Sequence, residues 1–131
     1  MEIVGVIEKG AGQGAYFTSL DWVVDQLEHA VGFKPFPGTL NVRIADEDLS
    51  KLDAFIEHRD CELVPDNPQF CSAGLKKVRI NGIPAALILP SEDVRIHGKE
   101  IVEIVADRHI KDALGLDDGD QVIITDVDLT A

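Results

Sequence analysis

The Asn81-Gly82 dipeptide constrains the fold more than any other feature of this sequence. It separates residues 76–80 from residues 83–89, two apolar runs of strand length. Asn-Gly readily adopts the positive φ angles of a type I′ turn, which joins two antiparallel strands tightly. The sequence therefore predicts a β-hairpin at this point and, with it, an antiparallel sheet.

Further segments have the alternating or apolar-rich pattern of short strands. They are residues 1–9, 40–44, 101–106 and 121–126. Helical spacing of apolar residues indicates three short helices. The first would be capped by Ser19 and end at Gly32, the second would cover residues 46–56, and the third residues 108–114.

The order of these elements predicts the fold class. Six short strands in 131 residues, without regular alternation of strand and helix, favour a small closed barrel over a doubly wound parallel sheet. At about 150 residues per domain, the length corresponds to one domain. We expect a mainly β protein, with one six-stranded barrel domain over residues 1–131 and two or three short inserted helices.

The net charge restricts the partners of the protein. The sequence has 24 acidic and 12 basic residues, which gives a formal charge of −12. A surface with this balance repels phosphate backbones, so we expect no nucleic-acid partner. An anionic small molecule would have to be held by a local device, such as backbone N–H groups or a metal ion. The residues favour no particular oligomeric state.

Other features indicate a cytoplasmic protein. No apolar run approaches the ~20 residues that cross a bilayer, and the first residues lack the basic start of a secretory signal, so we expect no membrane partner. Cys61 and Cys71 are the only cysteines. Two cysteines suit ordinary thiols in a reducing compartment, and their spacing is not specific for a zinc site with His58.

A glycine-rich segment, Gly10-Ala11-Gly12-Gln13-Gly14-Ala15, formally matches the dinucleotide-binding fingerprint. That fingerprint requires a helix to begin at once, whereas Tyr16-Phe17-Thr18 favour extended structure. We interpret the segment as a loop whose backbone N–H groups can hold phosphates, the alternative being a plain flexible turn. The sequence has no Gly-Lys-Ser or Gly-Lys-Thr, which excludes an ordinary P-loop.

A second candidate site is the segment around Pro35, Pro37 and Gly38. It fixes the backbone before a strand that begins with Thr39-Leu40-Asn41. Thr39 and Asn41 are two residues apart, so their oxygens lie on the same face of the strand. Such oxygens suit Mg²⁺, whose other ligands would be waters and substrate phosphates. The alternative is that both residues cap a turn.

Several blocks of the sequence together resemble one known family. They are the glycine loop running into Tyr16-Phe17, then Gly32-Phe33-Lys34-Pro35-Phe36-Pro37-Gly38-Thr39-Leu40-Asn41, then His97-Gly98 followed by Val102-Glu103-Ile104-Val105-Ala106, and finally Asp117-Asp118-Gly119-Asp120. In this order, and over nearly the whole chain, they resemble the CTP-dependent riboflavin kinase family best known from archaea. The Pro-Gly-Thr-Leu-Asn block is the most specific.

The resemblance implies a cradle-loop barrel that transfers the γ-phosphoryl group of CTP to the ribityl 5′-hydroxyl of riboflavin, giving FMN and CDP. It implies that Thr39 and Asn41 bind Mg²⁺ and that Glu103 meets the ribityl end of the flavin. Glu103 is also our candidate catalytic base, the alternative being an exposed strand carboxylate. Two groups of residues would hold the nucleotide: Ala11, Gly12, Gln13, Gly14, Ala15 and Tyr16 at its phosphates, and Arg108, His109, Ile110 and Lys111 at its cytidine part.

The sequence also departs from the family pattern. Arg95 stands where a threonine usually contacts the flavin phosphate, and it could either bind that phosphate or close the flavin pocket. Asp107 replaces a usual proline, and residues 109–112 replace a Leu-Arg-Glu-like run. Three other functions therefore stay open: a non-catalytic nucleotide- or flavin-binding module, a kinase for another small alcohol, and a swapped-hairpin transcription factor, which the charge disfavours.

Overall fold

A computed structural model describes residues 2–9, 18, 20–52, 61–63, 73–90 and 100–126. Within these ranges it contains seven strands: β1 Glu2–Glu8, β2 Leu40–Ile44, β3 Cys61–Leu63, β4 Ala73–Ile80, β5 Ile83–Pro90, β6 Ile101–Ala106 and β7 Gln121–Asp126. The α-helices are α1 Asp21–Val31 and α2 Ile110–Leu114. A 3₁₀ turn at Asp46–Asp48 leads into helical residues 49–52.

Six of these strands close a barrel in the order β4, β5, β6, β2, β1, β7, because β7 pairs back onto β4. Every neighbouring pair is antiparallel. β3 adds a short strand at the beginning of β4, where Cys61 pairs with Leu75. The predicted fold class, a six-stranded β-barrel with a few short helices, is confirmed.

The barrel interior is filled by side chains that alternate along the strands. In β2, for example, Leu40, Val42 and Ile44 point into the core, while Asn41 lies between them on the outer face. The buried interior also includes Ile3, Ile7, Val78, Ile80, Leu87, Val102, Ile104, Val122 and Ile124. Because side chains alternate with a period of two, this packing fixes which residues of β2 and β6 face outward.

Close contact between β1 and β2 depends on a glycine. A Cβ atom at Gly5 would collide with Cγ1 of Val42 and would lie 2.9 Å from the carbonyl oxygen of Arg43. Gly5 pairs with Ile44, and the register continues to Glu8 opposite Asn41. Because glycine has no Cβ atom, β1 and β2 can pair closely at Gly5, and the pairing continues to Asn41 near the start of β2.

Helix α1 covers part of the outer surface of the barrel. Val23 and Leu27 are fully buried in a second apolar cluster, together with Leu75, Ala86, Ile88 and Val105. Leu20 occupies the N-cap position without a side-chain hydrogen bond, and Ser19, the predicted cap, lies outside the described residues. The helix is held by its apolar stripe, since packing of an amphipathic face usually dominates helix stability.

The Asn81-Gly82 hairpin is confirmed. Both residues have positive φ angles, 46° and 86°, and join β4 to β5. The Asn81 side chain also accepts a hydrogen bond from the backbone N–H of Ile123, at 2.8 Å. The turn thereby fastens the hairpin to β7, the strand that closes the barrel.

Two predicted helices differ in detail from the structure. The second begins as a 3₁₀ turn, and its predicted residues 53–56 lie outside the described ranges. The third begins at Ile110 instead of residue 108, because His109 is its N-cap. No helix in the described ranges is long and apolar enough to span a membrane.

Candidate functional site

The site is built around the outward-facing Asn41, which lies between two carboxylates. In the sheet, Asn41 pairs with Glu103 of β6 on one side and with Glu8 of β1 on the other. Directly opposite residues of antiparallel strands project from the same face with their Cβ atoms about 5 Å apart. The register therefore brings an amide and two carboxylates into one row on the barrel surface.

Thr39 adds a hydroxyl to this row. Its Oγ1 donates a hydrogen bond to Oε1 of Glu103, with the two oxygens 3.2 Å apart. Because the hydroxyl proton points to Glu103, the lone pairs of Oγ1 stay available to another group. Thr39, Asn41 and Glu103 were all predicted as site residues, and the structure brings the three together.

The side-chain oxygen of Asn41 is buried, and in the described part of the chain it accepts no hydrogen bond. The residue is only 7% exposed. A buried acceptor without a partner is unfavourable, and proteins usually satisfy such atoms. An oxygen in this state, beside the Thr39 hydroxyl and the Glu103 carboxylate, has the chemistry of a Mg²⁺ ligand. The residues present therefore fit the predicted metal ion.

The described residues contain no cluster of three His, Cys, Asp or Glu side chains suited to a metal ion. A Mg²⁺ site does not require such a cluster, because the ion commonly binds through one or two protein ligands and completes its shell with waters and phosphates. His58 and Cys71 lie outside the described ranges, as does the alternative zinc site.

The segment before Thr39 is fastened by two hydrogen bonds. The N–H of Phe36 donates to the carbonyl oxygen of Ala106 at 2.8 Å. The N–H of Gly38 donates to Oγ1 of Thr18 at 2.7 Å. The prolines at 35 and 37 restrict the same backbone further. The start of β2 is therefore rigid where it presents Thr39.

The chain enters and leaves the predicted glycine loop close to this row. Before the loop, Glu8 is the cross-strand partner of Asn41. After it, Thr18 accepts the hydrogen bond from Gly38. The loop residues 10–15 and Tyr16 lie outside the described ranges, so their predicted role at the phosphates stays a prediction. Arg95, predicted to contact the flavin, lies outside them too.

A cleft of about 130 Å³ adjoins the same segment. The cleft is lined by residues 36–40, by Ile104 and Ala106, and by residues 108–111. Thr39 and the predicted nucleotide-binding residues Arg108, His109, Ile110 and Lys111 therefore line one cavity. The ionisable side chains of this lining are all basic, which distinguishes the cleft from the acidic protein as a whole.

The two strongly basic side chains at the cleft are paired with carboxylates. Arg108 donates from Nε and Nη2 to the two carboxylate oxygens of Asp107, at 2.6 and 3.2 Å. Lys111 Nζ lies 2.9 Å from Oδ1 of Asp118. The guanidinium of Arg108 lowers the pKa of Asp107 below its ordinary value. Since exposed ion pairs contribute little, an anionic ligand can displace these carboxylates at small cost.

The Asp-rich turn before β7 connects the cleft to the end of β1. The N–H of Gly119 donates to the carbonyl oxygen of Ile7 at 2.8 Å, and the N–H of Ile7 donates to that of Asp120 at 2.9 Å. Asp118 belongs to the same turn and holds Lys111 of α2. The turn thus ties α2 to the strand that leads into the glycine loop.

Two site features were not recognised in the sequence. The first is Glu8, which Arg43 holds by a bidentate ion pair, while Nη1 of Arg43 also reaches Glu100 at 3.3 Å. The second is Phe36, whose ring lies exposed at the cleft. The alternation of side chains along β1 predicts that Glu8 faces outward, so its position could have been inferred from the sequence. No local pattern in the sequence predicts that Phe36 is exposed.

Comparisons with a family model and with curated proteins indicate the same family. Residues 7–125 match the family model of CTP-dependent riboflavin kinases, which carries the description "domain of unknown function DUF120". The match runs from the end of β1 to β7 and so covers nearly the whole barrel. The chain belongs to the CTP-dependent riboflavin kinase family.

Curated relatives carry the name riboflavin kinase. The chain is 33% identical to the protein of Saccharolobus solfataricus over 129 residues, covering 95% of this chain and 73% of the relative. It is 30% identical to that of Methanobrevibacter smithii over 125 residues, covering 95% and 98%. It is 39% identical to that of Thermococcus kodakarensis over 123 residues, covering 92% and 56%. The chain spans little more than half the length of several relatives, 59% and 53% in two further cases.

Proposed function

We propose that this protein is a Mg²⁺-dependent riboflavin kinase that transfers the γ-phosphoryl group of CTP to the ribityl 5′-hydroxyl of riboflavin. The products would be FMN and CDP. One observation carries the proposal: the hydrogen-bonded pair of Thr39 and Glu103 lies beside the unpartnered, buried oxygen of Asn41. Membership in the family and the names of the relatives support the choice of substrates.

Thr39 and Asn41 would hold the Mg²⁺ ion through Oγ1 and Oδ1. Held by these two side chains, the ion would supply neutralisation of the charge that develops on the phosphates during transfer. On a protein with a net charge of −12, such neutralisation has to be local. Arg43 forms an ion pair with Glu8 and so offsets the negative charge of one of the two carboxylates beside Asn41. This would reduce the repulsion between the site and the triphosphate.

Glu103 would accept the proton of the ribityl hydroxyl. In this step the ribityl oxygen forms a bond to the γ-phosphorus, and the bond between that phosphorus and the β–γ bridging oxygen breaks. CDP leaves with the bridging oxygen, and the proton passes to the carboxylate. Since Thr39 donates to Oε1, the hydrogen bond orients the carboxylate and leaves Oε2 for the substrate hydroxyl.

The remaining assignments rest on the family resemblance. Residues 11–16 would donate backbone N–H groups to the nucleotide phosphates, and Arg95 would bind or close over the flavin. Residues 108–111 would hold the cytidine part, which the basic lining of the cleft supports. We also keep the cytoplasmic location as a prediction from the sequence.

The direct test is a panel of nucleotides and acceptors with products identified by mass spectrometry. Riboflavin, CTP and Mg²⁺ are expected to give FMN and CDP, with ATP a poor donor. Product from another alcohol in place of riboflavin would correct the acceptor. Binding of CTP or riboflavin without any product would identify a non-catalytic module and overturn the proposal, provided that circular dichroism shows a folded β protein.

A further inference from the structure

Glu8 is a carboxylate of the site that takes no part in the proposed transfer. It is the last residue of β1 and the cross-strand partner of Asn41, so both side chains leave the barrel on the same face, with Cβ atoms about 5 Å apart. On its other side Asn41 pairs with Glu103, the proposed base. The buried oxygen of Asn41, which accepts no hydrogen bond among the described residues, therefore belongs to a residue with a carboxylate on each side.

Arg43 holds the carboxylate of Glu8 in one orientation. Nε of Arg43 donates to Oε1 of Glu8, and Nη2 donates to Oε2 at 3.2 Å, so the ion pair is bidentate. Arg43 is two residues beyond Asn41 on β2 and therefore lies on the same face of the sheet. A bidentate guanidinium fixes the plane of a carboxylate, which the point charge of a lysine does not do. Glu8 is thus fixed in direction as well as in position.

The ion pair leaves Glu8 able to accept further hydrogen bonds. A carboxylate has about four lone-pair positions, and Arg43 uses one on each oxygen. Because the guanidinium offsets the charge, the pair offers acceptors without adding a net negative charge near a triphosphate. Mg²⁺ usually keeps several waters when a protein binds it, and those waters are hydrogen-bond donors. The remaining acceptors of Glu8 suit such donors.

We infer that Glu8 accepts hydrogen bonds from the water shell of the ion that Thr39 and Asn41 hold. Arg43 is the positioning residue for Glu8. The inference rests on the proposed function for the presence of the ion. Glu8 acts from outside the direct ligands, because both of its oxygens are already bonded to Arg43. Partners in this outer position commonly change metal affinity about 10- to 100-fold.

The affinity for Mn²⁺ tests the inference without turnover. Mn²⁺, which takes the same oxygen ligands as Mg²⁺, is titrated into the protein with excess CDP. Free Mn²⁺ is measured by electron paramagnetic resonance and corrected by a titration of CDP alone. Glu8→Gln removes the charge and one acceptor oxygen at nearly constant size, so we expect the Mn²⁺ affinity to fall about 10- to 100-fold.

The matched control is Glu100→Gln. Glu100 also pairs with Arg43, 3.3 Å from Nη1, but it is not a cross-strand partner of Asn41. We expect its Mn²⁺ affinity to equal that of the wild type. The side chains of Arg43 and Glu8 are 47% and 32% exposed, and exposed ion pairs add little stability. Glu8→Gln should therefore keep the Tm of the wild type, and an affinity equal to that of the control would overturn the inference.

The role of Arg43 is tested by a double-mutant cycle. Arg43→Lys keeps the charge but loses the bidentate hold, so it should weaken Mn²⁺ binding while Glu8 is present. In the Glu8→Gln background the same change should have no further effect, because Arg43 acts through Glu8. Additive losses would contradict that assignment. Glu8→Asp, which shortens the side chain, is also expected to weaken Mn²⁺ binding and replaces Glu8→Gln if that variant does not fold.

The outcomes separate this inference from the proposed function. If the wild type forms FMN and Glu8→Gln binds Mn²⁺ as well as the control, the inference is wrong and the kinase proposal stands. If the wild type forms no FMN, but its Mn²⁺ affinity depends on Glu8 and not on Glu100, the kinase proposal fails and the role of Glu8 stands. Absence of Mn²⁺ binding in the wild type would overturn the inference whatever the activity.

Discussion

The hydroxyl of Thr39 and the carboxylate of Glu103 meet across the β2–β6 pair, with Oγ1 and Oε1 3.2 Å apart. The two residues are 64 positions apart in sequence. Their contact follows from the register in which Asn41 faces Glu103. A proposed metal ligand is thereby hydrogen-bonded to the proposed base, so a change at either position is expected to affect the other.

We expect Thr39→Val to lower turnover about 10- to 100-fold, the usual effect of losing a ligand or its supporting partner at a metal site. Valine has nearly the same shape but no hydroxyl, so the barrel should stay intact. Thr39→Ser is the matched control and should keep most activity. Steady-state assays over a range of Mg²⁺ concentrations provide the measurement; equal Mg²⁺ dependence in all three proteins would contradict the assignment.

Asn41→Leu should separate activity from stability. The substitution removes a buried oxygen that has no hydrogen-bond partner among the described residues, and such an atom costs about 1–3 kcal/mol. We therefore expect Tm to stay level or rise while turnover falls at least about 10-fold. Thermal denaturation and the FMN assay give the two values. A marked fall in Tm would instead indicate that Asn41 has a structural role.

Glu103→Gln should reduce kcat about 10²- to 10⁴-fold, the range typical of losing a general base. The amide oxygen of glutamine can still accept the hydrogen bond from Thr39, so binding of the nucleotide should change little. A matched control is Glu100→Gln, which alters an exposed carboxylate immediately before β6. If kcat of Glu103→Gln equals that of this control, Glu103 is not the base.

Asp48 should make stability depend on acid pH. Its Oδ2 accepts the N–H of Val4 at 2.8 Å, and this hydrogen bond, together with Lys51, lowers its pKa. A depressed folded pKa means that the stabilisation is complete above the unfolded value of about 3.9 and is lost as pH falls through the folded value.

The corresponding variant is Asp48→Asn, compared with Glu47→Gln in the same turn. We expect Asp48→Asn to have a lower Tm than the wild type at neutral pH, and the difference should shrink as the pH falls below about 4. Glu47→Gln should follow the wild type at every pH. Thermal melts by circular dichroism provide the values, and a difference that grows on acidification would show the opposite sign of coupling.

Local signals in the sequence were sufficient for the hairpin and the principal strands. The turn at Asn81 and Gly82 needs positive φ, and few residue pairs supply it so well. β3 was missed because Cys61–Leu63 is too short to show a period. The apolar spacing after residue 46 predicts an α-helix and gives no sign of the 3₁₀ turn. In the sequence Asp48 resembles an exposed acid, because its hydrogen bond to Val4 joins residues far apart in the chain.

The site was predictable only in part, because it too depends on contacts between residues far apart in the sequence. The two-residue spacing put Thr39 and Asn41 on one face, and the family resemblance singled out Glu103. Their convergence depends on the pairing of β2 with β6, a register that no local pattern specifies. Glu8 joins them through the other edge of β2. Phe36 was noticed only as part of a motif, because its exposure is decided by tertiary packing.

Paramagnetic broadening by Mn²⁺ in the presence of CDP tests the central claim most directly. With Mn²⁺ in place of Mg²⁺, NMR signals near the ion lose intensity. We predict the strongest losses at Thr39, Asn41 and Glu103 and at the amides of residues 10–15, and little loss in Asn41→Leu. Strongest broadening at the acidic turn of residues 117–120, with Asn41 unaffected, would place the ion elsewhere and contradict this account.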